Sequence, residues 1–312
     1  MKIDSAEAAR CLGLDRAEDF FGVEQEEPEV IVALEASAES LPSNWLHWAG
    51  KPSLLDASPL YQWPVIEEVA EATRGTPPAA DSMCADSSVK SASDNDIQSA
   101  QVILKRRSAQ AFDGQSVMPL AVFRQLLNSL LPGGSPVWNL WPHTARVHPV
   151  LMVHRVENIA PGLYVMPRSE IAKGALKTAF RESFAWQAFG QEIPLFQLIA
   201  ARAGKTARTL SCHQDIATQC AVTFMMVAEF SQLIVADPAA YRHLHWEAGM
   251  LGHVLTLEAE AAGWRGTGIG CFFDEADSEV LGIKTDEFKV IYHYAIGMAL
   301  DDPRISTLPA YL

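Results

Sequence analysis

Arg106, Arg107 and Ser108 stand together inside the string ILKRRSAQAFDGQ, and their side chains suit the gripping of a phosphate. Two guanidiniums can bind phosphate oxygens bidentately, and a hydroxyl adds a further donor. The same three residues also read as a solvated basic turn at a helix end. A second candidate is Gly266-Thr267-Gly268-Ile269-Gly270, whose close glycines would let a backbone approach a flat ligand and offer it N–H donors. A plain tight connection has the same composition. Histidines 243, 245 and 253 tempt a metal reading. Positions 245 and 253, however, lie about 12 Å apart along a helix at ~1.5 Å per residue, and 243 and 245 point to different faces, so no metal site is expected. Cys212 and His213 are sequence neighbours, which is not the spatial relation of a cysteine nucleophile and its base.

The elements that must position these residues follow from periodicity and punctuation. Asp96 or Ser99 can cap a helix through Val102, Ile103 and Leu104 that ends near the arginines. Pro119 suits N1 of a second helix, in which Leu120, Phe123, Leu126, Leu127, Leu130 and Leu131 recur at helical spacing until Pro132-Gly133-Gly134 stops it. The basic corner therefore falls between two helices. Val147 to Val156, then a turn at Asn158 to Gly162 into a second strand, resembles a hairpin. Ala221 to Glu229 is a buried strand or a helix start. Leu244, Ala248, Leu251, Val254, Leu255 and Ala259 form one face of a helix over 241–262 closed by Gly263, and Phe288 to Met298 makes a last strand. The glycine string thus follows a helix and leads into Phe272-Phe273-Asp274, whereas a Rossmann loop follows a strand and opens a helix. A P-loop is excluded because GxxxxGK[ST] is absent.

The 312 residues carry 49% hydrophobic and 20% charged side chains, ordinary for a soluble globular protein with room for a sizeable core. A net charge of −14 argues against nucleic acid or an anionic membrane as partner. The apolar run Ala221 to Ala228 is too short to span a bilayer, which takes about 20 residues. Five cysteines without a CxxC pair, and no apolar leader, predict a reducing, cytoplasmic compartment. Between Gly75 and Ala100 the chain is rich in Ser, Ala, Asp and Pro, which predicts a flexible linker over 76–99. It separates an N-terminal region, 1–75, from a main domain, 100–312. The N-terminal region has a strand-like Val30 to Leu34 and a short helix Val65 to Thr73. Its stretch Glu7 to Leu34 echoes Glu275 to Leu300, either as the remnant of a preceding copy of the main domain or by chance.

Taken together, ILKRRSAQAFDGQ with PLAVFRQLL behind it, and GWRGTGIGCFFDEADSEVLGI followed by YHYAIG, resemble the opening and the end of the nitroreductase-like FMN-dependent oxidoreductases. The stretch from Pro142 to Pro149, PGLYV, and the later Tyr241-Arg242 are most similar to the SagB/ThcOx-type dehydrogenase branch, which includes azoline dehydrogenases acting on ribosomal peptides. The resemblance covers about residues 100 to 304. It implies an α+β fold, a mixed β-sheet flanked by helices, with an FMN site at a homodimer interface. It also implies that Arg106, Arg107, Ser108 and Gln110 hold the FMN phosphate and ribityl chain, with Arg304 as a C-terminal basic partner. Gly268, Ile269, Gly270 and Cys271 would lie along the isoalloxazine, and Pro142, His143, Thr144, Ala145 and Arg146 would come from the partner subunit. His143 and Tyr241 are candidates for catalytic proton handling.

Two departures from the branch matter. Val235-Ala236-Asp237-Pro238-Ala239-Ala240 stands where a Lys-Tyr pair associated with azoline oxidation is common, and His143 and Arg146 replace small residues. The expected function is hydride or electron transfer through flavin N5 on a peptide-derived or other small organic substrate. The alternatives are an NAD(P)H-dependent nitro or quinone reductase, with NADH or NADPH as donor, and a non-catalytic flavin-fold subunit paired with an active partner.

Overall fold

The computed structural model describes residues 5–20, 25–29, 61, 63–75 and 99–308. The chain divides into two compact units. One is Met1–Ala80 with Ile234–Arg242, and the other is Asp81–Leu233 with His243–Leu312. In the first unit lie α1 (Ser5–Leu12) and α2 (Pro64–Ala72). The Glu27 carboxylate accepts from both Arg74 and Arg242, and Arg242 Nε also donates to Thr73 Oγ1 at 2.8 Å. Burial alone would raise the Glu27 pKa, but the hydrogen bonds from Arg74 and Arg242 outweigh it and hold the carboxyl low. The strand-like Val30 to Leu34 lies outside the described residues. So does the 76–99 stretch except Ser99.

The second unit begins with α3 (Ser99–Lys105) and α4 (Leu120–Leu130), followed by β1 (Val147–Val153) and β2 (Gly162–Val165). Next come α5 (Glu170–Ala179), β3 (Gln187–Ala188), β4 (Phe196–Ala200), α6 (Gly204–Leu210), α7 (Ile216–Gln219) and β5 (Val222–Glu229). The short α8 (Ser231–Ala236) and the 22-residue α9 (Ala240–Ala261) lead to β6 (Arg265–Ile269), α10 (Asp274–Leu281) and β7 (Phe288–Gly297). Among the described residues no helix is long and apolar enough to cross a membrane.

The strands form one sheet in the order β3-β4-β2-β1-β5-β7-β6. The sequence suggested a mixed sheet flanked by helices. The helices are there, but among the described residues the strand pairs are antiparallel, and the parallel pairing is an isolated bridge between Met118 and Val156. An eight-residue connection, 154–161, joins β1 to its antiparallel neighbour β2, which gives the expected hairpin. β1 and all of β5 but Glu229 are buried along their length, as central strands covered on both faces must be. In α4, Phe123, Leu126, Leu127 and Leu130 form the buried stripe, with Pro119 as the cap and Leu131 just beyond the end. Gly263, at φ 76°, closes α9 in the left-handed conformation that favours glycine.

His154, in the connection between β1 and β2, lies within reach of the Ala217 carbonyl at 3.1 Å. Burial and then the Arg155 charge push its pKa from 6.5 down to about 4, against the hydrogen bond to Ala217, which raises it. Between those two pH values the unfolded chain binds a proton that the folded chain does not. Stability is therefore complete above pH 6.5 and falls as pH drops toward about 4. The loss from this one group is on the order of 3 kcal/mol. Urea midpoints at pH 7 and pH 4.5 should show this fall, and His154→Gln should flatten it; an unchanged slope in the variant would refute the assignment.

Candidate functional site

The basic corner sits where α3 ends, and one hydrogen bond fastens it to the sheet. The Ala109 N–H donates to the Gly266 carbonyl at 3.0 Å, and the next residues continue along the chain end through Asp113 N to Met298 O and Leu300 N to Ala111 O. β6 is an edge strand, so every second residue turns its backbone groups away from β7. Because Gly266 O is used outward, the register turns Gly268 N–H and C=O outward as well. The glycine string expected as a turn is thus a strand through Ile269, since it has β7 to pair with.

The reason for its glycines is steric. A Cβ on Gly266 would lie 2.0 Å from the Tyr294 hydroxyl, and one on Gly268 would lie 2.1 Å from the Tyr292 hydroxyl. Two tyrosine rings from β7 therefore occupy the space where β6 side chains would be. The Tyr294 hydroxyl lies 2.6 Å from Thr256 Oγ1. Burial, and to a lesser degree Tyr292, raise the Tyr294 pKa and prevail over the Thr256 hydrogen bond and the Arg106 charge, which lower it. Ile269 points into the core. Cys271, read from the sequence as part of a reduced chain, is joined to Cys212 by a disulfide.

Beside the corner is a cavity of about 990 Å³. Lys105, Arg107, Ser108, Gln110, Arg265, Asp301 and Asp302 supply its polar lining. Its size is at the upper end of small-molecule sites. The Arg107 guanidinium donates to the Leu104 carbonyl at 3.0 Å and to the Arg106 carbonyl at 2.7 Å, so it also caps the C-terminus of α3. Both readings of the corner, helix end and cation cluster, describe the same residues. Arg304 is exposed and held by its neighbour Asp302 at 2.7 Å. Lys105 and Arg265 were not singled out in the sequence, although Arg265 is next to the glycine string that was. Arg265 pairs with Asp301 at 2.7 Å.

The expected partner-contributed residues lie elsewhere. Val147 pairs with Ala228, which pairs with Lys289, whereas Val153 pairs with Val222, then Ile296, then Gly266. Residues 142–146 therefore stand at the opposite end of β1 from the basic corner, about 20 Å away at ~3.3 Å per residue. There, His143 stacks on His243 at 4.6 Å and meets Trp141 edge-on. Tyr241 belongs to the first unit.

A buried polar network anchors this end. His148 Nδ1 accepts from the Arg168 backbone N–H at 3.2 Å, which leaves Nε2 to donate to Glu229 at 3.1 Å. Arg146 Nη1 also donates to Glu229, at 2.6 Å. The buried Glu247 carboxylate accepts from the Arg146 backbone N–H and from the Arg168 guanidinium, itself 4.4 Å over the Trp138 ring. Burial favours a raised Glu229 pKa, but the bonds from His148 and Arg146 prevail and keep it low.

A third cluster escaped sequence reasoning, because its members are 16 to 82 residues apart. Ser211 Oγ lies 3.0 Å from His293 Nδ1, and His293 Nε2 lies 2.9 Å from Asp277 Oδ2. The residue types are those of a hydrolytic triad, but the ring nitrogens are exchanged, since there the serine meets Nε2 and the aspartate Nδ1. Ser211 and Asp277 are 0% exposed, however, so no substrate reaches the hydroxyl, and the array fixes the loops around it. Burial raises the Asp277 pKa, in opposition to its hydrogen bond with His293.

These features define an α+β, sheet-centred domain. The nitroreductase family model matches residues 103–298, well over half of the sequence, and the chain belongs to the nitroreductase family. Among solved structures, a protein from Anabaena variabilis described as a nitroreductase is 21% identical with a TM-score of 0.51, over 65% of this chain and 38% of that one. The chain thus spans well under half the length of that relative. A second, from Ralstonia eutropha and described in the same way, is 18% identical with a TM-score of 0.46, over 66% of this chain and 85% of that one. A microcin synthetase complex, McbBCD from E. coli with truncated pro-MccB17 bound, is 14% identical with a TM-score of 0.47, over 80% and 85%. No curated protein matches the chain.

Breaking the buried ion pair should be costly. Arg168→Met leaves the Glu247 carboxylate with only a backbone partner, and the loss measured by urea unfolding should be about 3–5 kcal/mol. Replacing both residues by apolar ones should recover most of it. A single-variant loss under about 1 kcal/mol would show that the pair anchors nothing.

Proposed function

We propose that this chain is an FMN-dependent oxidoreductase that works as a homodimer on a peptide-derived or other small organic substrate, with NADH or NADPH as the electron donor. The observation that carries the reading is the meeting of Arg107, Ser108, Lys105 and Arg265 on one cavity, with Arg106 next to Arg107 in the sequence but outside the lining, in a chain of this family. A dianionic phosphate fits such a donor set, since charge-assisted hydrogen bonds from guanidinium and ammonium groups are the strong ones. The cavity is large enough for the rest of a flavin nucleotide. Bound flavin would supply reversible two-electron chemistry that the twenty side chains lack.

The chain's own residues then have distinct tasks. Arg106, Arg107 and Ser108, supported by Lys105, Gln110 and Arg265, hold the phosphate and ribityl end. Arg304 joins them by exchanging its Asp302 partner for phosphate. The outward N–H of Gly268 on the edge strand can donate to a flat ligand, with Ile269, Gly270 and Cys271 contributing backbone only. Residues Pro142, His143, Thr144, Ala145 and Arg146 reach the same ligand only from a second copy, because about 20 Å of β1 separates them from the corner at ~3.3 Å per residue. His143 of that copy and Tyr241 are the proposed proton-handling groups. Azoline oxidation is not part of the proposal, because Ala236 to Ala240 offers no Lys-Tyr pair.

The visible spectrum tests this directly. The purified chain, reconstituted with FMN, should be yellow and should bleach anaerobically with NADH or NADPH. Arg106→Ala with Arg107→Ala should weaken FMN retention at least about a hundredfold at unchanged far-UV spectrum, as expected for two lost charged hydrogen bonds. A colourless wild-type chain would overturn the reading in favour of a non-catalytic subunit, and unaltered retention in the double variant would overturn the phosphate assignment.

A further inference from the structure

The Cys212–Cys271 disulfide joins the loop after α6 to the connection between β6 and α10, with the two Cα atoms 5.8 Å apart. Its surroundings hold the two loops together without it. The Phe273 N–H donates to the Leu210 carbonyl at 2.8 Å, and Gln214 Nε2 donates to the Cys271 carbonyl at 3.3 Å. The buried Ser211, which precedes Cys212, bonds to His293, and Phe272, which follows Cys271, stacks on the same imidazole at 4.6 Å. Asp277 holds the imidazole from its other nitrogen. The Asp277-His293 pair is thus a common anchor for the residues flanking both cysteines. A bond in this setting is not needed as a staple, and after opening its sulfurs stay within reach of each other.

Two further observations point to use. Cys212 and His213 lie at φ 51° and 59°, consecutive non-glycine residues in the left-handed region, which persist only where the surroundings impose them and which concentrate at functional sites. Cys271 is exposed while Cys212 is half-buried, so the pair is approached from solvent on the Cys271 side. Cys220 is the contrast. It is fully buried and its thiol is pushed up to about 12, chiefly by burial, which makes it inert.

We propose that Cys212–Cys271 is a second redox-active site of this chain, a dithiol–disulfide couple that exchanges with low-molecular-weight thiols, independently of any flavin. A thiolate attacks Cys271 Sγ, forming a mixed disulfide there, and the Cys212 sulfur leaves as a thiolate that takes up a proton. A second thiolate attacks the external sulfur of the mixed disulfide, releases the low-molecular-weight disulfide, and leaves the Cys271 thiolate to be protonated. Two thiols are oxidised to one disulfide, and the protein pair gains two electrons and two protons.

The test uses the full-length native chain in anaerobic buffers of graded reduced and oxidised glutathione, quenched with acid, alkylated and mapped by mass spectrometry. Cys212 and Cys271 should convert together and reversibly, with Cys220 unlabelled in the native protein and the far-UV spectrum constant. A bond that stays closed in the native chain at reductant levels that open it in the denatured chain would overturn the proposal, as would alkylation of both cysteines in the untreated oxidised chain. With oxidised glutathione, Cys212→Ser should take up a glutathione on Cys271 at least about tenfold faster than Cys271→Ser does on Cys212. Equal or reversed rates would overturn the assignment of Cys271 as the attacked sulfur. Both readouts are taken on the chain freed of flavin, so their failure is separate from failure of the flavin reading.

Discussion

An edge strand leaves half of its backbone groups without a sheet partner, and in β6 those groups are where the candidate site is assembled. The bond from Ala109 N–H to Gly266 C=O takes one of them and brings the segment carrying Arg106, Arg107 and Ser108 against the sheet. The cavity, with Arg265 in its lining, exists because that docking holds two stretches of chain more than 150 residues apart side by side. The same strand can accept the segment because β7 fixes its position from the opposite edge. Moving β6 by one residue would turn the outward groups inward and remove the docking point.

Much of the fold was legible because it rests on local rules. The stripe in α4, the Gly263 stop of α9 and the β1–β2 hairpin each follow from side-chain periodicity or a single backbone requirement. What was illegible depends on tertiary partners. The glycine string looked like a turn because nothing local shows that Tyr292 and Tyr294, far along the chain in β7, need its space. The Ser211, His293 and Asp277 array has no spacing signature at all. Its aspartate sits in an acidic helix where every neighbour looks equally solvated. The disulfide was likewise unreadable, since 59 residues separate the cysteines and only the closure of the sheet brings their loops together. The basic corner was legible as a cluster, but its two meanings were not separable. Arg107 caps a helix and lines a cavity at the same time.

The two ends of the sheet are built on different physics. At the basic corner the charges are half-exposed and partly occupied by backbone carbonyls or nearby aspartates, so they can be redirected at modest cost. At the other end Arg168 and Glu247 are buried and saturated with hydrogen bonds, and moving either would leave a charge without compensation. One end is arranged to accept a new anion and the other to stay as it is.

Gly266 and Tyr294, and likewise Gly268 and Tyr292, each share a single volume, so neither member of a pair is free to change alone. A side chain on the strand requires a smaller residue on β7, and a smaller residue on β7 leaves a void unless the strand fills it. Each glycine and its tyrosine therefore behave as one inherited character written at two places in the sequence. A redesign of this edge has four positions to alter but only two independent choices.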